Sequence, residues 1–227
     1  MNQRSAISKI NKNGLLLVFP MNNQKEPSSL WREFFPRTPL RWEWDEDGDN
    51  RVGEMWHLMK DLSDCRKVVY SKWYKGRATF FSREVFVASL RVLQNQSDLT
   101  GNLSRTSKNL LETLESDSPL STKELKKLNE LQGKFNEPEY NKSLKPLFSR
   151  LLVVGFGEVD DGAFPALALG STKILYEDLW LESQSLKLSQ AQQTLDKAMP
   201  LGSSFRKFFD KILQELPEMD TECTTSY

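Results

Sequence analysis

A chain of 227 residues, 38% hydrophobic and 27% charged with acidic and basic side chains in equal number, has an ordinary globular profile and fills one large or two small domains. Its zero net charge excludes a broad pull toward polyanions over the whole molecule. No stretch approaches the roughly 18 apolar residues of a membrane span, and Cys65 and Cys223 provide neither a disulfide framework nor metal-ligand spacing. The apolar run at residues 15–19 follows Arg4, Lys9 and Lys12 but is too short for a secretion signal. The expectation is a cytoplasmic protein with no membrane contact, no cofactor and no metal.

In chain order, residues 2–11 suit a short helix, and the apolar run follows it. Ser28-Ser29 precede LWREFF, a capped helical turn stopped by Pro36. Residues 36–50 hold two prolines and a Gly/Asp/Asn cluster and read as irregular. From Val52 to Cys65, helical spacing of Met55, Leu58, Met59 and Leu62 predicts a helix. RKVVYSKWYKGRATFFS is β-branched and aromatic, broken at Lys75-Gly76, and reads as a hairpin or a pair of short strands. Ser82 caps REVFVASLRVL, and Leu103 to Leu114 suits another helix. Ser121 and Glu124 fit a capping box. Pro138 opens a helix with Tyr140, Leu144, Leu147, Phe148 and Leu151 on one stripe and Pro146 bending its end. LLVVGF and FPALALG then flank an acidic glycine turn, a strand-turn-strand. Two amphipathic segments follow, SQAQQTLDKAM and SSFRKFFDKILQEL, and residues 218–227 read as a disordered tail. The wording shows no internal repeat.

Three helices, two strands and a turn between them, in the order of residues 103–170, are the order of a winged helix. The fold class expected is therefore α+β and mainly helical, with one or more winged-helix modules, a small β-hairpin wing and additional C-terminal helices. The domains expected are an N-terminal α+β part over 1–115, itself possible as a winged-helix-like module, a winged helix over 116–182, and a helical segment over 183–217.

In such a fold the second helix of the helix-turn-helix pair meets the DNA groove. Here it offers Asn141, Lys142, Lys145, Ser149 and Arg150, residue types that bind phosphate or base edges. The alternative is a solvated helix face, and Glu158, Asp160 and Asp161 in the wing would repel phosphates. A second basic strip holds Lys72, Lys75 and Arg77; residues 66–91 carry seven cations against Glu84 alone. Its interleaved rings suit stacking on bases, but Val68, Tyr70 and Trp73 are better read as core. Five acids within residues 43–49 miss the calcium-loop pattern, lacking its glycine at Asn50 and its acid at Trp56. His57 is the lone histidine, so no triad or two-histidine metal site can be assembled in the usual way. No phosphate-cradling glycine loop precedes a helix.

WEWDEDGDNRVGEMWHLMKDL, VVYSKWYKGRATFFSREVF, PLSTKELKKL and LVVGFGEVDDG carry a resemblance to the bacterial AlkZ/YcaQ-related winged-helix proteins, relatives of crosslink-repair DNA glycosylases. The resemblance runs from Leu30 to Trp180 and implies winged-helix modules and a connection with DNA repair. The enzymes carry a Gln-x-Gln or Gln-x-Asp element with an apolar middle residue. Gln94-Asn95-Gln96 has a polar middle residue, so neither glutamine is assigned a catalytic role and the catalytic residues stay unknown. The function expected is non-catalytic DNA binding. The alternatives are a protein-interaction module, with Phe205, Phe208, Phe209 and Ile212 docking a partner or a second copy, and a divergent glycosylase.

Overall fold

The computed structural model describes residues 1–42, 50–96, 98–159 and 166–217. The acidic stretch 43–49, the wing residues Asp160 and Asp161, and the tail 218–227 lie outside the described residues.

Helix α1 (Gln3–Asn13) starts where the Asn2 side chain accepts a hydrogen bond from the Ser5 amide, filling one of the orphan donors of a helix start. It stops at Gly14, whose φ of +80° and near contact with Ala198 and Val85 leave no room for a side chain. The apolar run becomes strand β1 (Leu15–Leu17), buried throughout. Ser29 caps α2 (Leu30–Phe34), which buries Trp31, and α3 (Arg51–Asp64) buries the predicted stripe of Met55, Leu58, Met59 and Leu62.

The hairpin follows as β2 (Val68–Tyr74) and β3 (Arg77–Ser82). Lys75 and Gly76 both have positive φ, 52° and 75°, the backbone pair that a two-residue turn needs to match strand twist. Helix α4 (Arg83–Gln96) leaves β3 directly, with the Ser82 hydroxyl accepting from the Val85 amide.

The second half opens with α5 (Arg105–Ser116) and β4 (Leu120–Ser121). The predicted capping box at Ser121 and Glu124 forms at the start of α6 (Thr122–Leu128). Helix α7 (Glu137–Ser149) tolerates Pro146 three residues before its end. Strands β5 (Val153–Val159) and β6 (Ala166–Ser171) follow. Four helices close the described chain: α8 (Thr172–Leu175), α9 (Glu177–Ser185), α10 (Leu188–Ala198) and α11 (Ser204–Glu215).

The chain is thus a mixed α/β structure built on one antiparallel sheet of order β1-β3-β2-β5-β6-β4. The order helix, strand, helix, helix, strand, strand occurs twice, as α1 to β3 and as α5 to β6. In each run the first strand pairs with the third: Leu15 opposite Phe81, and Leu120 opposite Leu169. A repeat invisible in the wording is therefore present in the topology. Strand β2 joins the two runs by pairing with β5 at Tyr70 opposite Gly155.

Both faces of the first three strands are covered. Leu16, Val68, Tyr70 and Phe80 pack with residues of α1, α2 and α3 in one cluster, while Leu15, Val69, Trp73 and Phe81 belong to the larger cluster on the other side. The rings of the basic strip are core, with Tyr70 3% and Trp73 1% exposed, and β2 buries both of its faces where an open sheet would bury one.

The C-terminal stripe corrects an expectation. Phe205, Phe209 and Ile212 are buried within this chain, and Phe208 is partly buried against the same core. Trp73 meets Phe208 edge-on at 5.1 Å and Tyr74 meets Phe205 at 5.2 Å, spacings favoured between rings. The stripe is spent on the hairpin and is not a surface for a partner or a second copy. Phe209→Ala should accordingly cost about 3–5 kcal/mol of folding stability, read as a lowered urea midpoint. An unchanged midpoint would mean that α11 contributes little to the core.

Candidate functional site

The two basic strips, some 70 positions apart in the chain, meet in space. Lys72 and Lys75 on the β2–β3 hairpin, and Asn141 and Lys145 on α7, line one cleft of about 470 Å³. Thr122 and Lys126 of α6 and Glu137 and Tyr140 of α7 add to its polar lining, and Leu144, Phe148 and Leu169 supply apolar surface. The placement follows from the fold: β2 is locked at the sheet centre, so its turn projects beside the α6–α7 pair. Trp73, between Lys72 and the turn, is held by its indole N–H donating to the Ser149 carbonyl at 3.1 Å, which ties the hairpin to the end of α7.

The charges are unequal in their freedom. Lys126 pairs with Glu137 at 2.5 Å and lies 4.6 Å over the Tyr140 ring. That pair holds the Glu137 carboxyl below its ordinary range. Asn141 donates to the same carboxylate at 3.3 Å. Lys72 and Lys145 have no ion-pair partner among the described residues. Burial pushes the Lys72 ammonium below its ordinary pKa, because leaving water penalises the charged form.

Tyr140 sits in the apolar stripe of α7, 3% exposed. Its hydroxyl is buried with no hydrogen-bond partner among the described residues. Burial foremost, then the nearby Glu137 charge, raises its pKa, so it stays a neutral O–H donor. Sequence reasoning placed Tyr140 only in the core and passed over Lys126. The available signal was a tyrosine in a stripe otherwise of leucine and phenylalanine, since a buried phenol asks for a polar neighbour.

The remaining sequence-predicted residues fall elsewhere. Lys142 and Arg77 are exposed but stand outside the cleft lining. Ser149 donates its hydroxyl to the Pro146 carbonyl. Arg150 is a correction: it is 7% exposed and its guanidinium donates to the Leu99 carbonyl at 2.7 Å and to Asn102 Oδ1 at 2.5 Å. Residue 150 follows α7 and faces inward, so this arginine fastens the α4–α5 connection and has little surface to offer a ligand. Among the described residues no group of three or more His, Cys, Asp or Glu side chains suits a metal ion, and no helix is long and apolar enough to cross a membrane.

Comparison with known proteins supplies the family. A family model described as AlkZ related matches residues 1–201. The chain belongs to the AlkZ-related family. Membership associates it with relatives of DNA-repair glycosylases. No curated protein matches it, and no solved structure does. In this AlkZ-related chain Gln94 lies on α4 and accepts a hydrogen bond from the Ser183 hydroxyl of α9, away from the cleft lining. Helix α11 lies beyond the family match, yet its phenylalanines brace the hairpin that carries Lys72 and Lys75.

Two stability tests separate the cations. Arg150→Met should destabilise the AlkZ-related chain by about 2–3 kcal/mol, since hydrogen bonds from a charged donor are lost and their acceptors stranded. Lys72→Met should do the opposite at neutral pH and raise the denaturation midpoint. The folded-state pKa of Lys72 lies below its unfolded value, so in the window between them the unfolded chain holds more protons. The stabilisation by methionine is thus full below the folded pKa and fades as pH rises toward 10.5. A lowered midpoint in Lys72→Met at pH 7 would refute the desolvation argument.

Proposed function

We propose that this chain binds DNA as a pair of winged-helix units, the runs α1 to β3 and α5 to β6, with the helices that follow β6 packed back as a brace. The repeated order of elements, with first strand paired to third in each run, supports the winged-helix reading. In the second unit α7 is the helix that faces the nucleic acid. The wing that serves it comes from the first unit: the β2–β3 turn, with Lys75 and Arg77 exposed. The observation that carries the proposal is the convergence of Lys72, Lys75, Asn141 and Lys145 on one cleft. Lys142 extends the basic surface along α7. Phe135, 94% exposed two residues ahead of the cleft-lining Glu137, adds a ring suited to stacking on a base.

Binding without catalysis is the reading that fits the residues present. Gln94 Oε1 accepts from the Ser183 hydroxyl, and among the described residues the cleft lining holds cations, an amide, a phenol and the Thr122 hydroxyl, with no carboxylate other than the Lys126-paired Glu137. A protein-interaction reading now rests on a different place from the C-terminal stripe: a shallow hollow on α8 and α9 lined by Ile174, Trp180 and Leu181.

Titration of a labelled duplex across a salt series tests the proposal. Each phosphate neutralised steepens log K against log salt by about 0.9. Lys145→Glu should weaken binding at low salt by at least roughly ten-fold and flatten that slope by about one. Affinity unchanged in Lys145→Glu would remove α7 from the interface, and no binding at low salt by the unaltered chain would end the DNA reading.

A further inference from the structure

A cleft meant only to follow a duplex backbone is a shallow track of outward cations. This one encloses about 470 Å³, within the roughly 300–1,000 Å³ of small-ligand sites. Among the described residues its lining holds four lysines against one glutamate. Glu137 is occupied by Lys126 at 2.5 Å, which leaves Lys72, Lys75 and Lys145 as the excess. An internal phosphodiester carries a single charge, whereas a terminal phosphate monoester approaches two at neutral pH. Tyr140 provides a second, independent pointer. Its hydroxyl is buried without a partner among the described residues, and a buried donor of that kind calls for an acceptor. The apolar side of the cleft, formed by Leu144, Phe148 and Leu169, matches the low polarity of a base or sugar face.

We infer that the cleft is a phosphomonoester site that takes a terminal nucleotide, its phosphate held by Lys72, Lys75, Lys145 and the Tyr140 hydroxyl and its base laid toward Phe148. The inference deepens the DNA reading, since a strand end would be the natural source of such a group, but a free nucleotide carries the same chemistry. An anion here also answers the energetic oddity of Lys72: the ammonium that burial penalises regains a partner when the phosphate arrives.

The experiment uses the full chain and one oligonucleotide sequence prepared with a 5′-phosphate, with a 3′-phosphate, or with hydroxyls at both ends, followed by fluorescence anisotropy. At least one phosphorylated form should bind about ten-fold or more tighter than the hydroxyl form, the scale of charge-assisted hydrogen bonds. Tyr140→Phe, which keeps the buried ring, should remove most of that advantage, so that the phosphorylated form's affinity falls toward that of the hydroxyl form. Deoxyadenosine monophosphate should compete where deoxyadenosine does not, and better than inorganic phosphate. Equal binding of all three oligonucleotides overturns the inference while leaving the DNA reading in place. Direct binding of a fluorescent deoxyadenosine monophosphate with none of the oligonucleotides bound supports the cleft and ends the DNA reading. Competition by inorganic phosphate as strong as by the mononucleotide overturns the nucleotide assignment.

Discussion

Strand β2 is the constraint on which the rest of this structure depends. It pairs with β3 on one side and β5 on the other, so it carries the seam between the two halves of the sheet. Gly155 stands opposite Tyr70 at that seam, and a residue without a side chain opposite a large ring relieves crowding between the paired strands. Helices cover both faces of β2, and the aromatic residues along it are buried. With the strand fixed on every side, the turn at its end has one place to go, and that place is beside α7.

The cleft inherits this rigidity. Lys72 is anchored on a strand whose next residue, Trp73, is clamped by three phenylalanines of α11 and by the Ser149 carbonyl. A flexible cation on a loop would lie out in solvent; here the backbone holds an ammonium partly out of water at a cost to stability. Such a cost is characteristic of residues retained for binding. Against this, the Lys126–Glu137 pair at the rim is part-exposed, and pairs of that kind contribute little to stability. Its effect is organisational: it neutralises the Glu137 carboxylate in the cleft, which also accepts from Asn141.

Much of the fold was legible along the chain because its signals are local. The capping box at Ser121, the stripes of α3 and α7, and the two-residue turn at Lys75-Gly76 each depend on neighbours within a few positions, and each appears where the spacing put it. Long-range pairing left no such mark. The duplicated order of elements is not written in the sequence because the two runs share little wording; Leu15–Leu17 corresponds to Leu120–Ser121, and the connection after each strand differs in length. The amphipathic stripe of α11 was correctly periodic, but periodicity reports that a face is apolar and is silent about what it faces.

The candidate site divides the same way. The amino-acid sequence by itself determined which residues are cationic, that α7 has a polar side, and that the rings of β2 belong to a core. Only the tertiary structure decided that Lys72 and Lys75 join Asn141 and Lys145, and that Arg150, one position past α7, turns inward to Leu99 and Asn102. It also decided that the Tyr140 hydroxyl lies buried without a partner among the described residues. The physical reason is that charge and period are properties of a segment, whereas desolvation and convergence arise between segments. The pairing of Tyr70 with Gly155 and the packing of α11 on Trp73 bring those segments together, and neither is encoded within any one of them.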